Sequence, residues 1–177
     1  MVRSVLISVL VRQHLSLRSE FAKRYPNAWL VWEAGAWSVS GDGEQNVAHT
    51  LPPAEDLQDC LPTGDVLCFE LTTSSPDQTL SLGRASQNDI VINDSTVSRE
   101  HLVLARKSSS EWTADLTGPT PQVSISGRHL VHGKPTSLRQ GDVLKVGEVL
   151  MTFYDAQSFE LRIRTEAEKL IASVPSS

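Results

Sequence analysis

The chain has 177 residues, enough for one full domain or one domain with a small appendage. It is 40% hydrophobic and 21% charged, a balance that can bury a core without disulfide or metal staples. A net charge of −5 speaks against a dedicated nucleic-acid binder, which needs cations in excess, but leaves room for one local cationic pocket.

At the N-terminus, residues 5–11 form an apolar stretch after Arg3. It is too short to span a membrane, and no small-residue cleavage site follows, so no signal peptide is predicted. The β-branched content of residues 2–11 suits a strand. Leu17, Phe21 and Tyr25 recur at i, i+4 and i+8 and predict a helical stripe that Pro26 stops. Residues 28–32 read as a strand, followed by Gly35 and Trp37. Three of the four tryptophans fall in nine residues there; core packing is the leading reading and an exposed aromatic face the other. Residues 38–64 carry turn chemistry: Gly41-Asp42-Gly43, Pro52-Pro53 and Pro62-Thr63-Gly64. Cys60 and Cys68, the two cysteines, make neither a zinc framework nor a disulfide scaffold, and a reduced compartment is expected.

From residue 66 the texture changes to short strands separated by turns: 66–71, 79–82, 90–92, 101–105, 112–116, 123–127, 143–147 and 148–154. Such strands at about ten-residue spacing argue for a β-sandwich. Gly141-Asp142 reads as a hairpin turn. Beyond it, Phe159, Ile163, Ala167, Leu170 and Val174 lie at helical spacing and predict an amphipathic helix over 158–173. Ser158 is its expected N-cap, and Glu160–Arg164 a favourable i, i+4 pair. This helix packs on the sandwich or the N-terminal element, or else lies in a groove of a partner. The expected layout is an N-terminal α/β extension over 1–60, a β-sandwich over 61–157 and a C-terminal helix and tail over 158–177, mainly β overall.

The chemistry concentrates in an ordered set of motifs. Ser81-Leu82-Gly83-Arg84 is followed by Asn88-Asp89-Ile90-Val91-Ile92, then Val97-Ser98-Arg99-Glu100-His101, Asp115-Leu116, and Gly141-Asp142-Val143-Leu144-Lys145-Val146-Gly147. Gly83 closes a strand and permits close backbone approach. Arg84 projects a fork of donors at a strand end, and Ser98 and Arg99 open the next strand. If those ends adjoin, two guanidiniums and a hydroxyl face one pocket suited to an oxyanion. A phosphate, at about −1.5 to −2 charge, gains more there than a carboxylate. From spacing alone, Arg84 and Arg99 as solvated charges, or paired with Glu100 or Asp89, are the favoured reading. Asn88 and Asp89 set a turn.

Over residues 66–155 this ordered set resembles the forkhead-associated (FHA) domain family, and implies that family's two-sheet β-sandwich with phosphothreonine-binding loops at one end. By motif position, the resemblance implies that Gly83 shapes the first binding loop. Arg84, Ser98 and Arg99 are the implied phosphopeptide contacts, and His101 braces the loops without touching ligand. The second binding loop departs from the family pattern D-L-x-S-x-N-G-T: here it reads Asp115-Leu116-Thr117-Gly118-Pro119-Thr120-Pro121-Gln122. The asparagine and its glycine are absent. Thr120 falls on a position that often contacts phosphate when counted back from Gly127, and on the lost asparagine when counted forward from Asp115. Pro119 and Pro121 supply no amide hydrogen. Losing a peptide clamp costs about 1–3 kcal/mol, so binding is expected to be weakened, or selective for an unusual partner, with phosphate still needed.

Arg128, His129, His132 and Lys134 form a basic cluster, either a solvated loop or a supplementary contact to an anionic peptide. No P-loop, nucleophile elbow or metal quartet is present, so no enzyme, cofactor or metal is expected. The resemblance implies a cytoplasmic adaptor in Ser/Thr-kinase signalling. Its partner would be a phosphothreonine-containing protein, a Ser/Thr kinase or its substrate, and not nucleic acid, membrane or a small-molecule substrate. The alternative is a degenerate sandwich that scaffolds an assembly without phosphate.

Overall fold

A computed structural model describes residues 2–33, 65–75, 78–108, 111–118 and 122–173. Trp37, Cys60 and Thr120 lie outside the described residues. Among the described residues, twelve strands form two sheets, with three helices on the outer face of the larger one.

The N-terminal segment supplies β1 (Ser4–Leu6), α1 (Ile7–Leu17), a 3-10 turn (Arg18–Glu20), α2 (Phe21–Arg24) and β2 (Trp29–Trp32). The strand expected over 2–11 stops at Leu6. Beyond it Ile7, Leu10, Val11 and Leu15 share a stripe that packs on the sheet, and that burial outweighs the β preference of the branched residues. Leu17, Phe21 and Tyr25 do not share one continuous helix. The chain turns at Arg18, where φ is 49°, and restarts at Phe21.

The sandwich follows with β3 (Leu67–Glu70), β4 (Thr79–Gly83), β5 (Ile90–Val91), β6 (Leu102–Arg106), β7 (Trp112–Leu116) and β8 (Val123–Ile125). Then come β9 (Arg128–His129), β10 (Thr136–Leu138), β11 (Val143–Val146), β12 (Val149–Tyr154) and α3 (Ala156–Ala172). The larger sheet runs β1-β3-β2-β12-β11-β8-β9, with antiparallel pairing throughout. The smaller runs β10-β7-β6-β4-β5, with β4 and β5 parallel. β2 lies inside the larger sheet between β3 and β12, so the N-terminal segment contributes to the sandwich itself.

The strand pleat explains why residues 29–32 are apolar without alternation. Leu30 and Trp32 point into the core between the sheets, while Trp29 and Val31 point into a second core beneath the helices. Trp29 stacks on Phe159 of α3 with centroids 4.3 Å apart, and Cys68, Phe21, Ile163 and Ala167 complete that layer. Trp29 and Trp32 are fully buried, so the core reading holds for them.

Three local expectations are corrected. Asp155, not Ser158, caps α3: its carboxylate accepts from the Ser158 amide at 2.8 Å. The expected Glu160–Arg164 pair does not form; Arg162 instead reaches across the layer to Glu33 in a two-pronged bridge of 2.6 and 2.8 Å, with Tyr154 Oη accepting at 2.8 Å. Gly141-Asp142 is not a hairpin turn, because β10 and β11 belong to different sheets. Asp142 instead accepts from Ser126 Oγ and the Arg139 amide, both at 2.8 Å, and so braces the β8–β9 hairpin. That hairpin turns on Ser126 and Gly127, both at positive φ (48° and 82°), the geometry that matches strand twist in a two-residue loop.

Candidate functional site

The loops after β4 and before β6 run side by side at one end of the sandwich. Backbone bonds join them: the Arg84 amide donates to Ser98 O at 2.9 Å, Ala85 to Arg99 O at 3.1 Å, and the His101 amide to Leu82 O at 2.9 Å. Gly83 makes this approach possible. A Cβ there would stand 2.3 Å from Arg99 O and 2.9 Å from Asn88 Nδ2, and neither position can yield cheaply.

Asn88 is the member of this end that sequence reasoning missed. It is buried, and its amide nitrogen donates to Arg99 O at 2.6 Å and Ala85 O at 2.8 Å, pinning one loop to the other. Its residue type suits a turn equally well, so only the spatial neighbourhood distinguishes the two roles.

His101 is buried and joins three segments. Its Nδ1 accepts the Ser98 amide at 2.8 Å. Nε2 therefore carries the proton and donates to Gln122 O at 3.2 Å. The Thr117 amide donates to His101 O at 3.3 Å. Both described feet of the loop that contains Thr120, residues 117 and 122, are thus tied to one histidine beside Ser98. Burial holds the imidazole below its ordinary pKa, with the Gln122 carbonyl opposing.

Arg84 is exposed, and its Nε donates to Val97 O at 3.1 Å, which lays the guanidinium stem against the residue preceding Ser98. Arg99 is exposed and makes no ion pair among the described residues, and neither does Arg84. The structural pairing with Glu100 or Asp89 is therefore not formed. Asp89 instead accepts from the Ser81 amide and hydroxyl, both at 3.1 Å. Ser98 and His101 open on a hollow of about 360 Å³ that Gln122, His129 and Lys145 also line. The turn between β11 and β12 closes its rim: Gly147 lies against Thr96, and the Glu148 amide donates to Thr96 Oγ1 at 2.9 Å.

Residues 72–157 match the family model described as "Inner membrane component of T3SS, cytoplasmic domain". No curated protein matches the chain. Among solved structures it is similar to the FHA domain of the CT664 protein from Chlamydia trachomatis, at 20% identity over 72% of this chain and 97% of that chain, TM-score 0.47. It is similar to the FHA domain of a hypothetical protein from Arabidopsis thaliana, at 20% identity over 85% and 91%, TM-score 0.46. A third is the FHA-2 domain of the Mycobacterium tuberculosis ABC transporter Rv1747, at 22% identity over 68% and 90%, TM-score 0.39. The ordered motifs, the two sheets that carry them and the family model matched over residues 72–157 agree on an FHA-type sandwich fold.

Proposed function

We propose that this chain is a phosphothreonine-peptide-binding module, an adaptor that recognises a protein phosphorylated by a Ser/Thr kinase. The observation that carries the reading is the fusion of the two apical loops through Gly83, which seats exposed Arg84 beside Ser98 and leaves the guanidiniums of Arg84 and Arg99 without an acidic partner among the described residues. Arginine forks and a hydroxyl at one loop end suit a doubly charged ester better than a carboxylate. The role of Thr120 is part of the same proposal: His101 draws both feet of its loop toward Ser98. Gly83 and His101 act by shaping the loops, not by touching the ligand.

Titration of a phosphothreonine peptide and its unphosphorylated twin tests this. The wild-type chain should prefer the phosphorylated form. Arg84→Ala and Ser98→Ala should each weaken that form by about ten- to a hundredfold, the scale of one charge-assisted hydrogen bond. Equal affinity for the twins, unchanged by Arg84→Ala, would retire the reading.

A second reading is favoured by the family model, whose description is of an inner-membrane component's cytoplasmic domain, and by the loss of the clamping asparagine from a loop that carries two prolines. In it the sandwich holds an assembly partner on the cytoplasmic side without phosphate. No helix among the described residues is long and apolar enough to cross a membrane. Affinity for the unphosphorylated twin equal to that for the phosphopeptide would select this reading.

A further inference from the structure

Gly83, Asn88 and His101 join two loops of the recognition end, and a third loop reaches them through Thr96. Thr96 lies between β5 and β6, two residues before Ser98. Its hydroxyl accepts from the Glu148 amide at 2.9 Å and donates to Asp94 Oδ1, which also accepts from the Thr96 amide at 2.8 Å. A Cβ on Gly147 would stand 2.5 Å from Thr96 O and 2.6 Å from Thr96 Oγ1, so the turn between β11 and β12 bears directly on this loop. One hydroxyl thus closes the loop on itself through Asp94 and ties it to a turn 52 residues further along the chain.

The residue after Thr96 carries the consequence. Val97 is buried, its amide donates to Asp94 O at 3.1 Å, and its carbonyl accepts from Arg84 Nε at 3.1 Å. The carbonyl that holds the Arg84 stem therefore belongs to the segment that the turn clasps. An exposed arginine samples many rotamers, and a ligand that needs one of them must otherwise freeze it on binding. Holding Nε in advance leaves the two terminal nitrogens as a fork for an oxyanion.

We infer that Thr96 is a positioning residue of the recognition end: clasped by the β11–β12 turn, it fixes the Val97 carbonyl and through it the Arg84 guanidinium, without touching ligand. That the guanidinium so held meets a phosphate rests on the phosphothreonine reading. The bonds through Asn88 and His101 and the close approach at Gly83 do not involve the Thr96 hydroxyl, so its loss frees Arg84 while the first two loops stay joined. Thr96 and Glu148 are exposed, so water replaces the lost bonds and the fold keeps its stability.

The test uses the full chain. Thr96→Val should weaken a phosphothreonine peptide by about three- to tenfold, the scale of one side chain left to be ordered by the ligand, with little change in the denaturation midpoint. Thr96→Ser, which keeps the hydroxyl, should restore the affinity. In an Arg84→Ala background, Thr96→Val should weaken binding no further, because the residue it acts through is gone. Without any peptide, proton exchange at Arg84 Nε, followed by NMR, should speed up in Thr96→Val and in Gly147→Ala, which pushes the turn off Thr96. A Thr96→Val loss that persists in full in the Arg84→Ala background overturns the inference, as does Arg84 Nε exchange that neither variant changes; both leave the phosphate reading intact. Failure of the phosphate reading has a different signature: wild type binds the phosphorylated and unphosphorylated peptides equally, and the exchange rates of the free chain still decide whether Thr96 holds Arg84.

Discussion

The loop end and the helical layer of this molecule are held in order by opposite means. Under the helices, Trp29, Phe159, Phe21 and Ile163 exclude water over a broad apolar area, and no single atom decides the outcome. At the loop end a few polar atoms do the work: one missing Cβ at Gly83, the amide of Asn88 and the two nitrogens of His101 set where Ser98 and Arg84 stand. Area tolerates small shifts, whereas a buried polar contact does not, because an unpaired donor or acceptor costs most of its desolvation. A recognition end built the second way is positioned sharply and is correspondingly easy to break.

Substitutions should separate the two regions. Trp29→Ala removes the ring that stacks on Phe159, and should cost about 3–5 kcal/mol in chemical denaturation. The phosphopeptide affinity of the remaining folded protein should hardly move. Gly83→Ala drives a methyl against the Arg99 carbonyl and should cost about 1–3 kcal/mol. Its larger signature should be in binding, since relief requires the two loops to part. A binding loss for Trp29→Ala equal to that of Gly83→Ala would erase the distinction drawn above.

Asn88→Ala should follow at about 1–2 kcal/mol, with faster amide exchange across residues 83–85 and 98–101. His101 adds a pH dependence. Its folded pKa is lowered, so the unfolded chain takes up the proton first as pH falls. The stability contributed by the neutral ring is complete above about pH 6.5 and declines below it, levelling off once the folded ring protonates. Protonation of the folded ring would also turn Nδ1 into a donor facing the Ser98 amide, so peptide binding should weaken at the lower pH where the stability loss levels off. His101→Gln should flatten that part of the stability profile relative to wild type. Smallest of all, Glu33→Gln should cost under about 1 kcal/mol, because the carboxylate is 41% exposed and solvent screens its bridge to Arg162.

Much of the smaller sheet was legible in advance. The strand over 112–116 appears at those bounds, and Gly83, from its place at a strand end, was assigned a close approach that the Arg99 carbonyl supplies. His101 was expected to brace loops, and it joins three segments. Asn88 was not legible as a strut, because a turn asparagine and a bridging asparagine are the same residue until the second loop is beside it. The first helix was read as strand, since branched side chains carry their preference locally while the apolar surface that overrules it lies on β2 and β3.

The order of motifs along the chain, their turn residues and the apolar runs determined by themselves that this protein folds as a sandwich with cations at a loop end. Periodicity and turn chemistry are local, and strands of this length are written in nearest neighbours. The tertiary structure alone decided that residues 29–32 lie inside the larger sheet, buried on both faces, and that Asn88 pins one loop to the other. Those depend on contacts between segments far apart in the chain, which pair only when burying a shared surface outweighs the entropy of bringing them together.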